Sequence, residues 1–250
     1  MKNLTTNLTL AAALTLALAA FGGMAHAEDA KPEAKPDNEV SYNVALTNDY
    51  RFRGVSQSRL DPALQGGVDY THNPTGLYAG TWLSTIKWTK DAGGSGDVEM
   101  DIYGGKKGEI AKDISYDVGG LYYFYPSNGL HPSANTFELY GQVGFGPFYV
   151  KYSHATTNLF ANDNSKNSGY LDAGFNYDVY QGYTLNLHAG HQNVKNHGDL
   201  SYSDYKIGVT KDFGIVTVAL AAIKADIELP APNGKNTAKT GLILTVSKTF

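Results

Sequence analysis

Apolar and polar residues alternate with a period of two from Val40 to the end of the chain. In the first such segment the polar residues Ser41 and Arg53 take odd positions, and the bulky apolar residues take even ones: Val40, Tyr42, Val44, Leu46, Tyr50 and Phe52. Successive side chains of a β-strand point to opposite faces, so this pattern predicts a strand with one apolar and one polar face. Twelve such segments follow one another, and ten remain possible if the weakest of them are loops.

The connections between these segments alternate in length. Long connections are expected at residues 56–62, 89–96, 126–135, 156–169, 193–199 and 228–239, and shorter ones at 71–76, 108–113, 146–147, 179–182 and 212–214. Long external loops and short periplasmic turns are typical of outer-membrane barrels, whereas a soluble sandwich has no reason to sort its loops in this way. The expected fold is therefore all-β: a closed antiparallel up-and-down transmembrane β-barrel of about 12 strands.

The period also indicates which face meets the membrane. A sheet survives in hydrocarbon only when it closes and pairs all of its backbone groups. A soluble barrel of twelve strands would have to fill an interior wider than side chains alone can fill, and no segment resembles a plug. The apolar face is therefore expected to contact lipid and the polar face to line a lumen.

The first residues predict export and a simple domain plan. Lys2 precedes an apolar run from Leu8 to Phe21, which ends at Ala25-His26-Ala27, a pattern that signal peptidase cleaves. Residues 1–27 are expected to be a cleaved signal peptide, residues 28–39 a flexible, charged periplasmic leader, and residues 40–250 the barrel. The predicted location is the outer membrane of a bacterium.

Composition excludes several kinds of chemistry. The chain has 28 Gly, 18 Tyr and 10 Phe but no Cys, so Cys-based zinc, redox and thiol sites are absent. A net charge of −4 gives no basic surface for nucleic acid. His188 and His191 stand three residues apart and are expected on opposite faces of a strand, which argues against a shared metal ion. No cofactor and no metal are therefore expected.

The residues on the polar faces of the strands are expected to line the lumen. They carry both signs of charge, as expected of a water-filled passage. The predicted pore-lining residues are Arg51, Arg53, Asp69, Glu99, Asp101, Asp117, Glu138, Lys151, Asp172 and Lys206. One hypothesis is that Arg51 and Arg53 meet Glu99 and Asp101 at a constriction. The alternative is that these charges only neutralise one another as polar filling.

Aromatic residues near the strand ends suggest girdles at the two membrane interfaces. The predicted girdle residues are Tyr42, Tyr50, Tyr78, Trp82, Trp88, Phe148 and Tyr152. The terminal Phe250 shares the apolar parity of the last strand and resembles the assembly signal of outer-membrane barrels, although Lys248 departs from the usual pattern.

Several motifs resemble those of the TorF-like family of porins, also known as Gcw_chp proteins. They are residues 50–57 (YRFRGVSQ), 62–70 (PALQGGVDY), 76–84 (GLYAGTWLS), 99–105 (EMDIYGG) and 117–120 (DVGG). The resemblance thins after residue 130 and returns in the last strand. It implies an outer-membrane barrel of the porin class, without naming a substrate.

The function expected from the sequence is passive, porin-like diffusion of small hydrophilic solutes or ions, and not an enzyme activity. A non-conducting barrel that acts as adhesin, receptor or scaffold through its external loops is the alternative. A lipase-type enzyme with a site at His154 is a less favoured alternative, because Ser153 must face the other way on the same strand. The expected partners are outer-membrane lipid, the barrel-assembly machinery during insertion and small hydrophilic solutes. The oligomeric state stays open.

Overall fold

Residues 36–250 are described by a computed structural model, in which twelve antiparallel strands close into a barrel. The barrel strands are β1 (Asn38–Thr47), β4 (Ala63–His72), β5 (Leu77–Thr85), β6 (Val98–Ala111), β7 (Ile114–Phe124), β8 (Thr136–Phe145), β9 (Phe148–Ala155), β10 (Gly169–Tyr180), β11 (Tyr183–Asn193), β12 (Tyr202–Asp212), β13 (Thr217–Ala225) and β14 (Gly241–Thr249). Two-residue strands β2 (Arg51–Phe52) and β3 (Val55–Ser56) form a small hairpin of their own. The helices are α1 (Trp88–Asp91) and a 3₁₀ turn at Gly198–Leu200. The predicted fold class is confirmed.

The barrel closes where the first strand meets the last. Asn43 of β1 lies opposite Thr249 of β14, and the main chains of Tyr42 and Phe250 exchange hydrogen bonds of 3.1 and 2.8 Å. Phe250 points outward at this seam, and the Lys248 ammonium lies 5.1 Å from the centre of its ring. Closure pairs the first strand with the last along residues 43–47, so the barrel wall is continuous there. The assembly role of Phe250 stays a prediction.

The outer surface of the wall is apolar. Val44, Leu139, Ile207 and Leu244 are exposed there, while their strand neighbours point into the barrel. Within residues 36–250, no helix has the length and apolar character that crossing a membrane requires.

The connections follow the predicted alternation. Five connections contain two to four residues, at 73–76, 112–113, 146–147, 181–182 and 213–216. The other six contain eight to fifteen residues, at 48–62, 86–97, 125–135, 156–168, 194–201 and 226–240. The barrel therefore has a long-loop end and a short-turn end, with both ends of the described chain at the latter.

The first strand differs from its predicted bounds at both ends. It begins at Asn38, where residues 38–40 pair with 70–72 of β4, so the end of the predicted leader belongs to the sheet. It ends at Thr47, well before Phe52, because the chain then turns into the barrel. The predicted signal peptide and residues 28–35 of the leader lie outside the described residues.

Four of the predicted girdle residues do not lie on the outer face. Tyr78 and Trp82 point inward because β5 has the opposite parity to the one predicted: Trp82 lies directly opposite Asp101 on the inner surface. Leu77 and Leu83 of the same strand face outward, so both faces of β5 carry apolar residues and the alternation alone was ambiguous.

The other two of these four residues, Tyr50 and Trp88, lie outside the strands. Tyr50 follows the end of β1 and is buried inside the barrel, and Trp88 lies in α1 with its ring 5.0 Å from that of Tyr125. Tyr42, Phe148 and Tyr152 do lie exposed on the outer face. Their role at a membrane interface stays a prediction.

Inward glycines make space for tyrosine rings, which accounts for the abundance of both residues. A Cβ on Gly190 would approach the Tyr170 hydroxyl to 2.0 Å, and one on Gly80 would lie 2.6 Å from the Tyr103 ring. The tyrosine rings therefore pack over glycines of neighbouring strands on the inner surface.

Candidate functional site

The first long connection, residues 48–62, folds into the barrel and is called here the inner loop. Its side chains Tyr50, Phe52 and Arg53 are 4, 8 and 5 % exposed, although they belong to a connection rather than to the wall. The β2–β3 hairpin carries Phe52 and the turn at Arg53-Gly54 into the lumen. The inner loop is therefore a plug in the long-loop half of the barrel, and the expectation that no segment resembles a plug is wrong.

Arg53 fixes the tip of the inner loop to two separate strands. Its Nη2 lies 2.7 Å from Glu138 Oε2 on β8, and its Nη1 donates to Gln192 Oε1 on β11 at 2.6 Å. The guanidinium also lies 4.2 Å from the centre of the Tyr170 ring on β10, a cation–π contact. Burial alone would lower the pKa of Arg53, but Glu138, through its charge and its hydrogen bond, and the neighbouring Tyr123 and Tyr170 together outweigh burial and raise that pKa above its usual value. The group is therefore a permanent cation, and its contacts are called here the Arg53 clasp.

Aromatic packing supports the other side of the inner loop. The Phe52 ring meets Tyr123 of the wall and Phe160 of the 156–168 loop edge to face, each with ring centres 5.5 Å apart. Such pairs stabilise beyond the area they bury, by about 0.5–1.5 kcal/mol each. The loop is thus held by charge at its tip and by apolar contacts beside it.

Gly54 lets the tip lie directly against the wall at β12 and β13. Its φ of +79° is in the left-handed region, and a Cβ there would lie 2.6 Å from Asp204 Cβ and 3.0 Å from Ala225 Cβ. Both the backbone conformation and the space demand glycine at this position.

Arg51 does not take the position predicted for it. Its side chain pairs with Asp49 at 2.6 Å and donates to the carbonyls of Gly54, Thr237 and Lys239 at 2.9–3.0 Å. It ties the inner loop to the 226–240 loop at the mouth of the barrel. The predicted constriction of Arg51 and Arg53 with Glu99 and Asp101 is therefore wrong in its partners, because Arg53 pairs with Glu138 instead.

A second polar network lies on the wall behind Gly54. His188 contacts Asp172 through Nδ1 at 2.8 Å and Asp204 through Nε2 at 2.6 Å. The Tyr170 hydroxyl also donates to Asp204 at 2.8 Å, so this network adjoins the Arg53 clasp. Lys206 lies on the same inner face, opposite His188 in the register.

Nearer the short-turn end the inner wall carries a third network. The Tyr78 hydroxyl donates to Asp117 at 2.7 Å and contacts the Tyr140 hydroxyl. The Lys151 ammonium lies 4.2 Å from the centre of the Tyr140 ring. These contacts join strands β5, β7, β8 and β9 along the inner wall with hydrogen bonds and charge.

Nine of the ten predicted pore-lining residues are inside the barrel, and Arg51 lies at its mouth. Those inside are Arg53, Asp69, Glu99, Asp101, Asp117, Glu138, Lys151, Asp172 and Lys206. That solutes pass beside them stays a prediction. The sequence prediction missed Gln192, Tyr170 and His188, although their inward parity could be read from β10 and β11.

Ser153 and His154 do not form a lipase-type pair, because they lie on opposite faces of β9. His154 faces outward and contacts Asn167 Oδ1 at 3.3 Å, whereas Ser153 faces the lumen, as predicted. His188 and His191 lie on opposite faces of β11, and residues 36–250 contain no group of three or more His, Asp or Glu placed to hold a metal ion.

Comparison with known families agrees with the motifs. The sequence model of a family described as "Bacterial protein of unknown function (Gcw_chp)" matches residues 31–250. The chain belongs to the Gcw_chp family. The family's description assigns no activity, so the porin role implied by the resemblance stays a prediction. No curated protein matches the chain by sequence.

Solved structures with a similar shape share little sequence with this family member. LpxR from Salmonella typhimurium is 12 % identical over 84 % of this chain and 99 % of its own, with a TM-score of 0.42. OccAB2 from Acinetobacter baumannii is 9 % identical over 86 % of this chain and 65 % of its own, with a TM-score of 0.38. A protein from work described as "Asymmetric conductivity of engineered proteins" is 12 % identical over 74 % of this chain, with a TM-score of 0.37. The chain spans about half (55 %) of that engineered protein, and none of these likenesses carries an argument about function.

Proposed function

We propose that the protein is a bacterial outer-membrane barrel through which small hydrophilic solutes or ions diffuse, in a lumen narrowed by the inner loop. The observation that carries this proposal is the segregation of side chains: the outer wall is apolar, while charged residues of both signs line the inside. An apolar outer band with a polar interior is the arrangement of membrane-spanning barrels. Export through the predicted signal peptide belongs to the same proposal.

The inner loop supports a narrow passage rather than a wide one. Arg53 and Glu138 meet inside the barrel, and aromatic side chains pack beside them and narrow the lumen. Charged groups at a narrow point select solutes by size and sign. The passage is therefore proposed to admit ions and small solutes and to exclude larger ones.

A second candidate is a barrel that does not conduct. The near-complete burial of Tyr50, Arg53, Glu138 and Asp204 favours it, because such packing leaves little room for solute beside the inner loop. The protein would then act through its long loops, as an adhesin, receptor or scaffold.

Planar-bilayer recording separates the two candidates. The chain is refolded into lipid, closure of the barrel is checked by a heat-dependent shift on a gel, and current is recorded with and without added solutes of graded size. Small, steady unitary currents that only the smallest solutes reduce are expected for the proposed function. A barrel that folds but is silent, both as wild type and as a variant with a displaced inner loop, would favour the scaffold instead.

A further inference from the structure

The wall beside the inner loop carries an acidic pair that the Arg53 clasp does not use. Glu99 and Asp101 stand two residues apart on β6, both point inward, and they are 1 and 0 % exposed. The Tyr50 hydroxyl donates to Glu99 Oε1 at 3.2 Å. Glu99 Oε2 and both carboxylate oxygens of Asp101 are buried and receive no hydrogen bond from any residue in the described range.

The surroundings of the pair are aromatic. Asp101 lies between Trp82 of β5 and Tyr123 of β7 in the register, and the Tyr50 ring of the inner loop lies 5.4 Å from that of Trp82. The inner loop thus covers the carboxylates from the lumen side, and the wall covers them from the other.

No basic side chain within residues 36–250 forms an ion pair with either carboxylate. Glu138, two strands away on β8, acts on Asp101 through its charge, but it is also acidic and is already held by Arg53. Buried carboxylates without a counter-charge or a hydrogen-bond donor are strongly unfavourable as anions. The hydroxyls of Tyr50 and Tyr125 both reach Glu99, whereas the described residues supply no donor to either carboxylate oxygen of Asp101.

We propose that Glu99 and Asp101 form a binding site for a compact monovalent cation of the size of Na⁺, K⁺ or NH₄⁺, enclosed between the inner loop and β6. Three unpartnered oxygens on two adjacent inward side chains are hard ligands, which small hard cations prefer. A divalent metal ion fits less well, since it needs more charged ligands than this pair offers and the described residues hold no larger cluster. The proposal goes beyond passive diffusion, because binding here requires no passage through the barrel.

Thermal unfolding of the refolded full chain tests the site without any measurement of current. The unfolding midpoint is followed by circular dichroism in detergent at constant ionic strength. N-methylglucamine chloride, whose cation is too large for the enclosed site, is replaced stepwise by NaCl, KCl, NH₄Cl or CaCl₂. A ligand that binds only the folded state raises the midpoint with its concentration. A saturable rise with at least one monovalent cation, larger than the rise with Ca²⁺, is the expected result.

Three variants make the outcome specific. Asp101→Asn and Glu99→Gln should each abolish the saturable rise, whereas Asp199→Asn, the same chemical change on an exposed residue, should keep it. Asp101→Asn should also unfold at a higher temperature than wild type in N-methylglucamine alone, since it removes an uncompensated buried charge. The proposal is overturned by a wild-type midpoint that responds to pH but not to any small cation, by a rise that persists in Asp101→Asn, or by a larger response to Ca²⁺.

Discussion

Replacing Arg53 with methionine is expected to raise the unitary conductance of the refolded barrel severalfold. The change keeps an unbranched side chain but leaves Glu138 and Gln192 without their cationic partner. Breaking a buried ion pair by removing one partner costs about 3–5 kcal/mol, because the remaining charge stays uncompensated. The cheapest relief for Glu138 is hydration, which requires the inner loop to leave the lumen. Single-channel recording in planar bilayers measures the effect.

Arg59→Met is the matched control, because Arg59 belongs to the same loop but pairs with Asp91, and its side chain is 29 % exposed. Exposed ion pairs contribute little to stability, so this variant should conduct like the wild type. The double variant Arg53→Met with Glu138→Gln should regain part of the lost stability, since no buried charge remains. An Arg53→Met barrel that shows the normal heat-dependent gel shift and unchanged conductance would show that the clasp does not restrict the lumen.

Gly54→Ala is expected to displace the inner loop by a steric route, without any change of charge. The new methyl group would overlap Asp204 Cβ and Ala225 Cβ, and the positive φ adds backbone strain of about 1 kcal/mol or more. Because the tip cannot move aside without losing the Arg53 clasp, conductance should rise as in Arg53→Met. Limited proteolysis should also cut within residues 48–62 in this variant and not in the wild type.

Gly214→Ala separates strain from overlap. Gly214 has a φ of +80°, almost that of Gly54, but no atom lies within 4 Å of the Cβ that alanine would add. This control should lose a similar amount of stability through its backbone and leave both the conductance and the proteolysis pattern unchanged. If the two glycine variants show the same conductance and the same proteolysis pattern, the close approach of Gly54 to Asp204 and Ala225 has no role in holding the loop.

The wall of the barrel could be predicted from the sequence because one physical rule governs it. Each strand meets an apolar surface on one side and a polar interior on the other, so Leu139 and Glu138 take opposite faces wherever the chain is extended. The rule fails at β5, where Leu77 and Leu83 suit the outside as well as Tyr78 and Trp82 do. In β5 the orientation of the side chains is set by the pairing of Trp82 with Asp101 of β6. Such pairing between strands cannot be read from the sequence of one strand.

The inner loop could not be predicted from alternation, because residues 50–53 continue the period of two while the chain leaves the sheet. Tyr50 and Phe52 are apolar and alternate with Arg51 and Arg53, as in a strand, yet they pack inside the barrel. Two signals did mark the segment: the Arg-Gly step, which favours a turn, and the density of family motif in residues 50–57. The long-range partners of Arg53 follow only from the closed barrel, which brings β8 and β11 around the loop.

The central claim is that the apolar face of the wall meets lipid, and fluorescence quenching by lipid measures this directly. The chain has no cysteine, so single Cys residues at Val44, predicted to face lipid, and at adjacent Asn43, predicted to face the lumen, can each carry an environment-sensitive fluorophore. In vesicles that contain brominated lipid, the fluorescence should be strongly quenched at position 44 and little quenched at position 43. Equal quenching at the two positions, or stronger quenching at position 43, would contradict a membrane barrel with a polar lumen.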